Sequence, residues 1–95
     1  TEFFRANKET ITDVDIISDT VFYELKDSTW LQKNPSTLDG QSFVTSMGKK
    51  FRAYDEIKIL NPQYSTYENV LVFEGNVLPQ LRTSLENIGW RVIEK

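Results

Sequence analysis

Val70-Leu71-Val72-Phe73, Leu78-Pro79-Gln80-Leu81, Leu85, Ile88-Gly89 and Trp90-Arg91-Val92-Ile93-Glu94 stand in that order in the last third of the chain. The reading of residues 70–94 decides the fold. The near-continuous apolar run at 70–73 predicts a strand buried on both faces, and so a central one. Gly75-Asn76 ends it, and Asn76 is expected to cap the next helix. Leu78, Leu81, Leu85 and Ile88 recur at i, i+3, i+7 and i+10, which is one helical face. Pro79 falls in the first turn, where its missing N–H costs little. Gly89 stops the helix, and Trp90 and Val92 alternate with Arg91 and Ile93 as a closing strand. If the two strands are neighbours, they are parallel and the crossover is right-handed.

Working back toward the N-terminus, Asn61-Pro62-Gln63-Tyr64-Ser65 is a turn. The same residues match the short Asn-Pro-x-Tyr peptide motif, but between two strand-like runs a turn is the simpler reading. Phe51 to Leu60 reads as a strand. A short helix is expected over 40–47, capped by Asp39, with Phe43, Val44 and Met47 on one face and Gly48 just past its end. Residues 27–40 are dense in turn formers and read as a long loop, pinned by Trp30 and Leu31. Val21 to Leu25 is β-branched and aromatic, hence a strand. It pairs as a hairpin with a strand at 10–17, whose period of two turns Asp13 and Asp15 outward. Residues 1–9 read as an N-terminal arm in which Phe3 and Phe4 need something to dock on. The whole is a single α+β domain over 10–95, with about five strands and two short helices. The strands form either a small sheet or a half-open barrel.

Composition bounds the chemistry. Leu, Ile, Val and Phe supply 28 of 95 residues, well above the roughly 20% floor of disordered chains. Cysteine and histidine are absent. That excludes disulfides, thiolate nucleophiles, Ser-His-Asp and Cys-His catalysis, and Cys or His metal sites. Asp13, Asp15 and Asp19 have oxygen-ligand chemistry suited to calcium or magnesium. They lack a calcium loop's glycine and terminal glutamate, so the polar outer face of a hairpin is the simpler reading. Asp55 and Glu56 are adjacent; in a strand they point to opposite sides and cannot flank one scissile bond. Gly48-Lys49-Lys50 lacks the first glycine and the following Ser/Thr of a phosphate loop. On these grounds neither an enzyme nor a cofactor is expected. No apolar run approaches the ~18 residues of a membrane span.

The formal net charge is −3 and the pI about 4.9, which disfavours nucleic acid as a partner. The charge is uneven along the chain. Glu9, Asp13, Asp15, Asp19, Glu24 and Asp27 face only Lys26 over residues 9–27, while Lys49, Lys50, Arg52 and Lys58 cluster over 49–58. Opposite regions of this kind allow contact between copies, hence a homo-oligomer, or with a complementary partner. Cations interleaved with Phe51 and Tyr54 also have the composition with which small barrels hold single strands.

Residues 42–74, above all Phe51-Arg52-Ala53-Tyr54-Asp55-Glu56-Ile57, resemble small proteins of tailed bacteriophages and prophages found with virion head genes. The resemblance covers about a third of the chain. It implies a non-enzymatic minor capsid or decoration component with no catalytic residues, located in the virion or the host cytoplasm. Its partner would be the major capsid protein or another virion protein. Aromatics and arginine are enriched at interface centres, which makes Phe3, Phe4, Trp30, Leu31, Arg52, Tyr64 and Tyr67 the candidate contact residues. The alternatives are a small acidic regulator that binds a host protein, through an acidic hairpin mimicking a phosphate backbone, and a small nucleic-acid-binding barrel.

Overall fold

The computed structural model describes residues 1–4 and 10–95. Two antiparallel strands, β1 (Glu2–Phe4) and β2 (Thr10–Asp13), form a small ribbon. A four-stranded sheet follows, in the order β3 (Ile16–Ser18), β4 (Val21–Lys26), β5 (Glu68–Phe73), β6 (Arg91–Glu94). Helix α1 (Leu38–Leu60) connects β4 to β5, and α2 (Pro79–Ile88) connects β5 to β6. The protein is α+β, and its main sheet is open rather than a half-open barrel.

The 70–94 unit folds as its residues dictate. β5 lies between β4 and β6 and is parallel to both, with Val70 opposite Tyr23 and Arg91. Gly89 ends α2 at φ +126°, where an added Cβ would lie 2.6 Å from the Phe51 ring. Asn76 does not cap α2; Leu78 holds that position with no side-chain bond, and Pro79 opens the helix. Pro79 removes one of the orphan N–H groups a cap would otherwise serve. Two successive crossovers of the same hand, stepping the same way across the sheet, place α1 and α2 on one face.

The hairpin joins β3 to β4 through Asp19 (φ 49°) and Thr20 (φ 65°). Both are left-handed, as a two-residue turn between twisted strands demands. The strand expected over 10–17 is broken in two. The N-terminal ammonium donates to the Val14 carbonyl at 2.6 Å, the Val14 N–H returns a bond to Thr1, and Asp15 bends the chain into β3. Residues 2–4 of the expected arm are thus β1; residues 5–9 lie outside the described residues.

The largest correction falls on 40–60. The short helix, its end at Gly48 and the strand from Phe51 to Leu60 are one 23-residue helix. Phe43, Met47, Tyr54 and Ile57 recur at helical spacing and are all buried. With good helix formers between them, that face outweighs the cost of one internal glycine, about 1 kcal/mol. Thr37, not Asp39, is the cap, accepting from the Gly40 N–H at 3.0 Å. Gly40 is required there: a Cβ would lie 1.7 Å from the Asn34 carbonyl oxygen. The 27–37 loop can therefore lie directly on the start of α1.

Candidate functional site

Side chains of a strand alternate between faces. In β4, Phe22, Glu24 and Lys26 point toward the helices, and Val21, Tyr23 and Leu25 point away. Phe22 meets the core, with Tyr54, Tyr64 and Tyr67 edge-on around it at 5.3–5.6 Å. Two residues on, at a position that ordinarily takes an apolar side chain, stands Glu24, which is 4% exposed.

Four side chains converge on it. Lys26, from the same strand face, places Nζ 3.2 Å from Glu24 Oε2, and Lys50 of α1 places its own at 3.5 Å. One turn further along α1, the Tyr54 hydroxyl donates to Oε1 at 3.1 Å. Asp15, at the bend before β3, interacts directly with the Glu24 carboxylate and is held by the Leu25 N–H, which donates to Oδ2 at 2.9 Å. Burial raises the Glu24 pKa above its ordinary value; Lys50 and Lys26 oppose the rise and Asp15 adds to it. The Tyr54 hydroxyl is pushed far up, by burial first and by the Glu24 charge second. The cluster runs from the core to the surface: Tyr54 is fully buried, Lys26 and Lys50 are partly so, and Asp15 is exposed.

On the same face, β5 offers Asn69, buried opposite Phe22, whose amide has no hydrogen-bond partner among the described residues. Lys26 also reaches outward. Its Nζ lies 5.1 Å from the centre of the Trp30 ring, and Lys33 Nζ lies 5.5 Å from it. Lys26 further lines a cavity of 280 Å³ with Asp27, Glu74 and Lys95 at the carboxyl ends of the parallel strands, where ligands of such sheets commonly bind.

The opposite face carries no helix. Val70 and Val72 run along its centre, flanked by Tyr23, Leu25 and Ile93, with Ile16 at one edge. Ile16 is 45% and Leu25 46% exposed, around a depression of 350 Å³.

The contact residues expected from sequence do not share a surface. Phe3 packs on Phe22 and Tyr64, and Tyr64 and Tyr67 close that aromatic group. Phe4 is 53% exposed. Trp30 stacks on Phe43 at 4.8 Å, and Leu31 lies against Gly75 while its carbonyl accepts from the Leu78 N–H. Arg52 is exposed on α1. The basic–aromatic stretch divides likewise. Phe51 and Tyr54 pack against Trp90, Lys58 lies between Asp55 and the Phe22 ring, and Lys50 turns to Glu24.

Of the acidic trio Asp13, Asp15 and Asp19, Asp15 is the member that joins the Glu24 cluster. No group of three or more acidic side chains that could hold a metal occurs among the described residues. Glu24 and Lys26 enter the expectations from sequence only through the charge balance of residues 9–27, not as site residues. The signal was Glu-Leu-Lys placing two charges at i and i+2 in register with Phe22, on the strand's apolar face. No family model matches this chain, and neither a curated protein nor a solved structure does.

Proposed function

We propose that this protein hydrolyses phosphodiester bonds of nucleic acid, using a divalent cation held by Asp15 and Glu24. The observation that carries the reading is the pair of carboxylates drawn together under α1, with two ammonium groups on the buried one. Taking ions out of water costs several kcal/mol apiece, and apolar side chains would fill the same space without that cost. A buried titratable group with several charged partners marks a candidate functional site.

The charges fit the chemistry. Two carboxylates and two ammoniums sum to zero, and a divalent cation would leave the site at +2, complementary to a phosphodiester. Two carboxylates suffice for magnesium, which takes its remaining ligands from water and substrate phosphate. Asp15 and Glu24 would hold such a cation, which would supply Lewis-acid polarisation of a phosphoryl oxygen and a more acidic bound water. The chain's own groups do the rest. Lys50 and Lys26 oppose the rise that burial imposes on the Glu24 carboxyl. Tyr54 fixes one carboxylate oxygen, and the Leu25 N–H fixes Asp15. Lys26, partly exposed, is placed to meet the negative charge that develops on the phosphoryl group. Lys49 and Arg52, exposed along the same helix, give flanking phosphates a basic approach that the overall −3 charge does not.

This departs from the expectation of no enzyme, which weighed Asp55 with Glu56 and the missing histidine. Cation-assisted hydrolysis needs neither. The test is cleavage of end-labelled single-stranded DNA, duplex DNA and RNA with Mg²⁺ or Mn²⁺ against EDTA. Cation-dependent cutting lost in Glu24→Gln and Lys26→Met, with thermal melting retained, is the expected result. No cutting of any substrate with either cation, or equal cutting by Glu24→Gln, would overturn the reading.

A second reading is favoured by the helix-free face, where Ile16 and Leu25 are half-exposed beside the buried Val70 and Val72. There the protein would dock on another protein, and the resemblance of residues 42–74 supplies a phage virion component as that partner. Co-sedimentation with large particles in the native source, lost in Leu25→Asp, is its expected outcome.

A further inference from the structure

Among the described residues β6 ends the four-stranded sheet and pairs with β5 alone. In a parallel ladder alternate residues bond to the neighbouring strand. Lys95 donates its N–H to the Phe73 carbonyl at 3.0 Å, so Arg91, Ile93 and Lys95 turn their backbone groups toward β5. Those of Val92 and Glu94 therefore lie on the outer edge. Such an edge is a template for another strand unless something blunts it. The opposite edge strand, β3, is only three residues long. On β6 a side chain does the blunting.

That side chain is Arg82, one turn into α2. Its Nη2 donates to the Val92 carbonyl at 3.1 Å. Nη1 pairs with Glu94 Oε1, and Nε with Glu86 Oε2 at 3.3 Å. The other Glu94 oxygen accepts from the Val77 N–H at 3.4 Å. Two carboxylates thus hold a planar guanidinium over an edge acceptor, a geometry that a lysine point charge would not reproduce.

We propose that the outer edge of β6 is a pairing edge for a second copy of this chain, and that Arg82 is the latch that keeps it shut. Antiparallel pairing centred on Val92 sets Val92 opposite Val92 and Arg91 opposite Ile93. Every residue then keeps its own face of the sheet, and the contact is the same from both sides. Apolar side chains meet at its centre. What stands in the way is Arg82. In each copy it occupies the Val92 carbonyl that the other copy's Val92 N–H would need, and pairing would bring two guanidiniums to the symmetry axis. The latch lies two strands from Glu24 and is independent of the phosphodiester reading.

The test compares the full chain with Arg82→Met, which keeps the aliphatic stem and removes the guanidinium. Sedimentation equilibrium across a concentration series should give wild type a mass near 11.1 kDa and the variant a mass rising toward twice that, with its circular dichroism unchanged. A second arm, Glu86→Gln with Glu94→Gln, leaves Arg82 in place but untethered and should also dimerise. The chain has no cysteine, so cross-linking can report the register. Residues 91 and 93 of paired copies would have Cα atoms about 4.5 Å apart, within the span of a disulfide. Copies carrying Arg91→Cys, mixed with copies carrying Ile93→Cys, should cross-link on oxidation in the Arg82→Met background and not with Arg82 present. Both arms remaining monomeric would overturn the proposal. So would equal cross-linking with and without Arg82, or dimers that fail to cross-link in this register.

Discussion

The two faces of the four-stranded sheet each carry a departure from the usual arrangement. The face covered by α1 and α2 holds Glu24, with Lys26, Lys50 and Asp15 gathered on it. The bare face holds Ile16, Tyr23, Leu25, Val70, Val72 and Ile93. Buried polar groups and exposed apolar side chains are the informative departures in a folded chain, and here buried Glu24 and half-exposed Leu25 lie back to back on one strand, with half-exposed Ile16 beside them. The covered face is what a chemical site requires, because charges interact more strongly where water is partly excluded. The bare face is what an association surface requires. Alternation along β4 separates them residue by residue: Glu24 inward, Leu25 outward, Lys26 inward.

Substitutions on either face test this contrast. The largest effect should fall on chemistry. Lys26→Met is expected to lower the cleavage rate about 100-fold or more, in line with loss of one preorganised charge at a reacting group, while circular dichroism and melting stay close to wild type. Next comes the support of the covered face. Gly40→Ala drives a methyl into the Asn34 carbonyl, and overpacking of this kind costs about 3 kcal/mol; chemical denaturation would measure it. Tyr54→Phe removes the hydroxyl that Glu24 accepts from and should cost about 1–2 kcal/mol together with part of the activity.

A smaller and pH-dependent effect is expected of Glu24→Gln. Burial raises the folded-state pKa of Glu24 above the ordinary 4.5, so its protonated form suits the fold better than its ionised form. The stability this group contributes is full below that ordinary value and is lost as pH rises through the raised one. Glu24→Gln should therefore melt within about 1 kcal/mol of wild type at neutral pH, and wild type should gain on the variant as pH falls toward 4.5. Loss of activity without loss of stability would mark Glu24 as kept for chemistry; a large loss of stability at neutral pH would mark it as structural. The smallest effect belongs to the bare face. Leu25→Ser, at a half-exposed position, should change stability by no more than about 0.5 kcal/mol. It would still abolish any association made through that face, as gel filtration or co-sedimentation would show.

Much of the fold was legible in the residues. The 70–94 unit was readable because its signals agree: an apolar run, a clean helical stripe, Pro79 at the start and Gly89 at the end. The β3–β4 hairpin was readable for the same reason. Residues 40–60 misled because Gly48 looked like a stop and Phe51 to Leu60 is rich in apolar and aromatic side chains. Only the buried face shared by Phe43, Met47, Tyr54 and Ile57 joins the two halves into one helix. The candidate site was less legible still. Asp15 was noticed among acidic neighbours and Lys50 among basic ones, but each was read with residues near it in sequence.

Local pattern by itself determined the α+β class, the central place of β5, the βαβ unit at the C-terminus and the exclusion of histidine and cysteine chemistry. These follow from side-chain periodicity, backbone restriction and residue inventory, none of which needs a partner distant in the chain. Tertiary structure decided the length of α1, because helix propensity there is overruled or confirmed only by what the apolar face packs against. It also decided the meeting of Asp15, Glu24, Lys26, Lys50 and Tyr54. Glu24 and Tyr54 are thirty residues apart, and nothing in either neighbourhood encodes the other. Their encounter depends on a right-handed crossover laying α1 over the face of β4 that carries the charge.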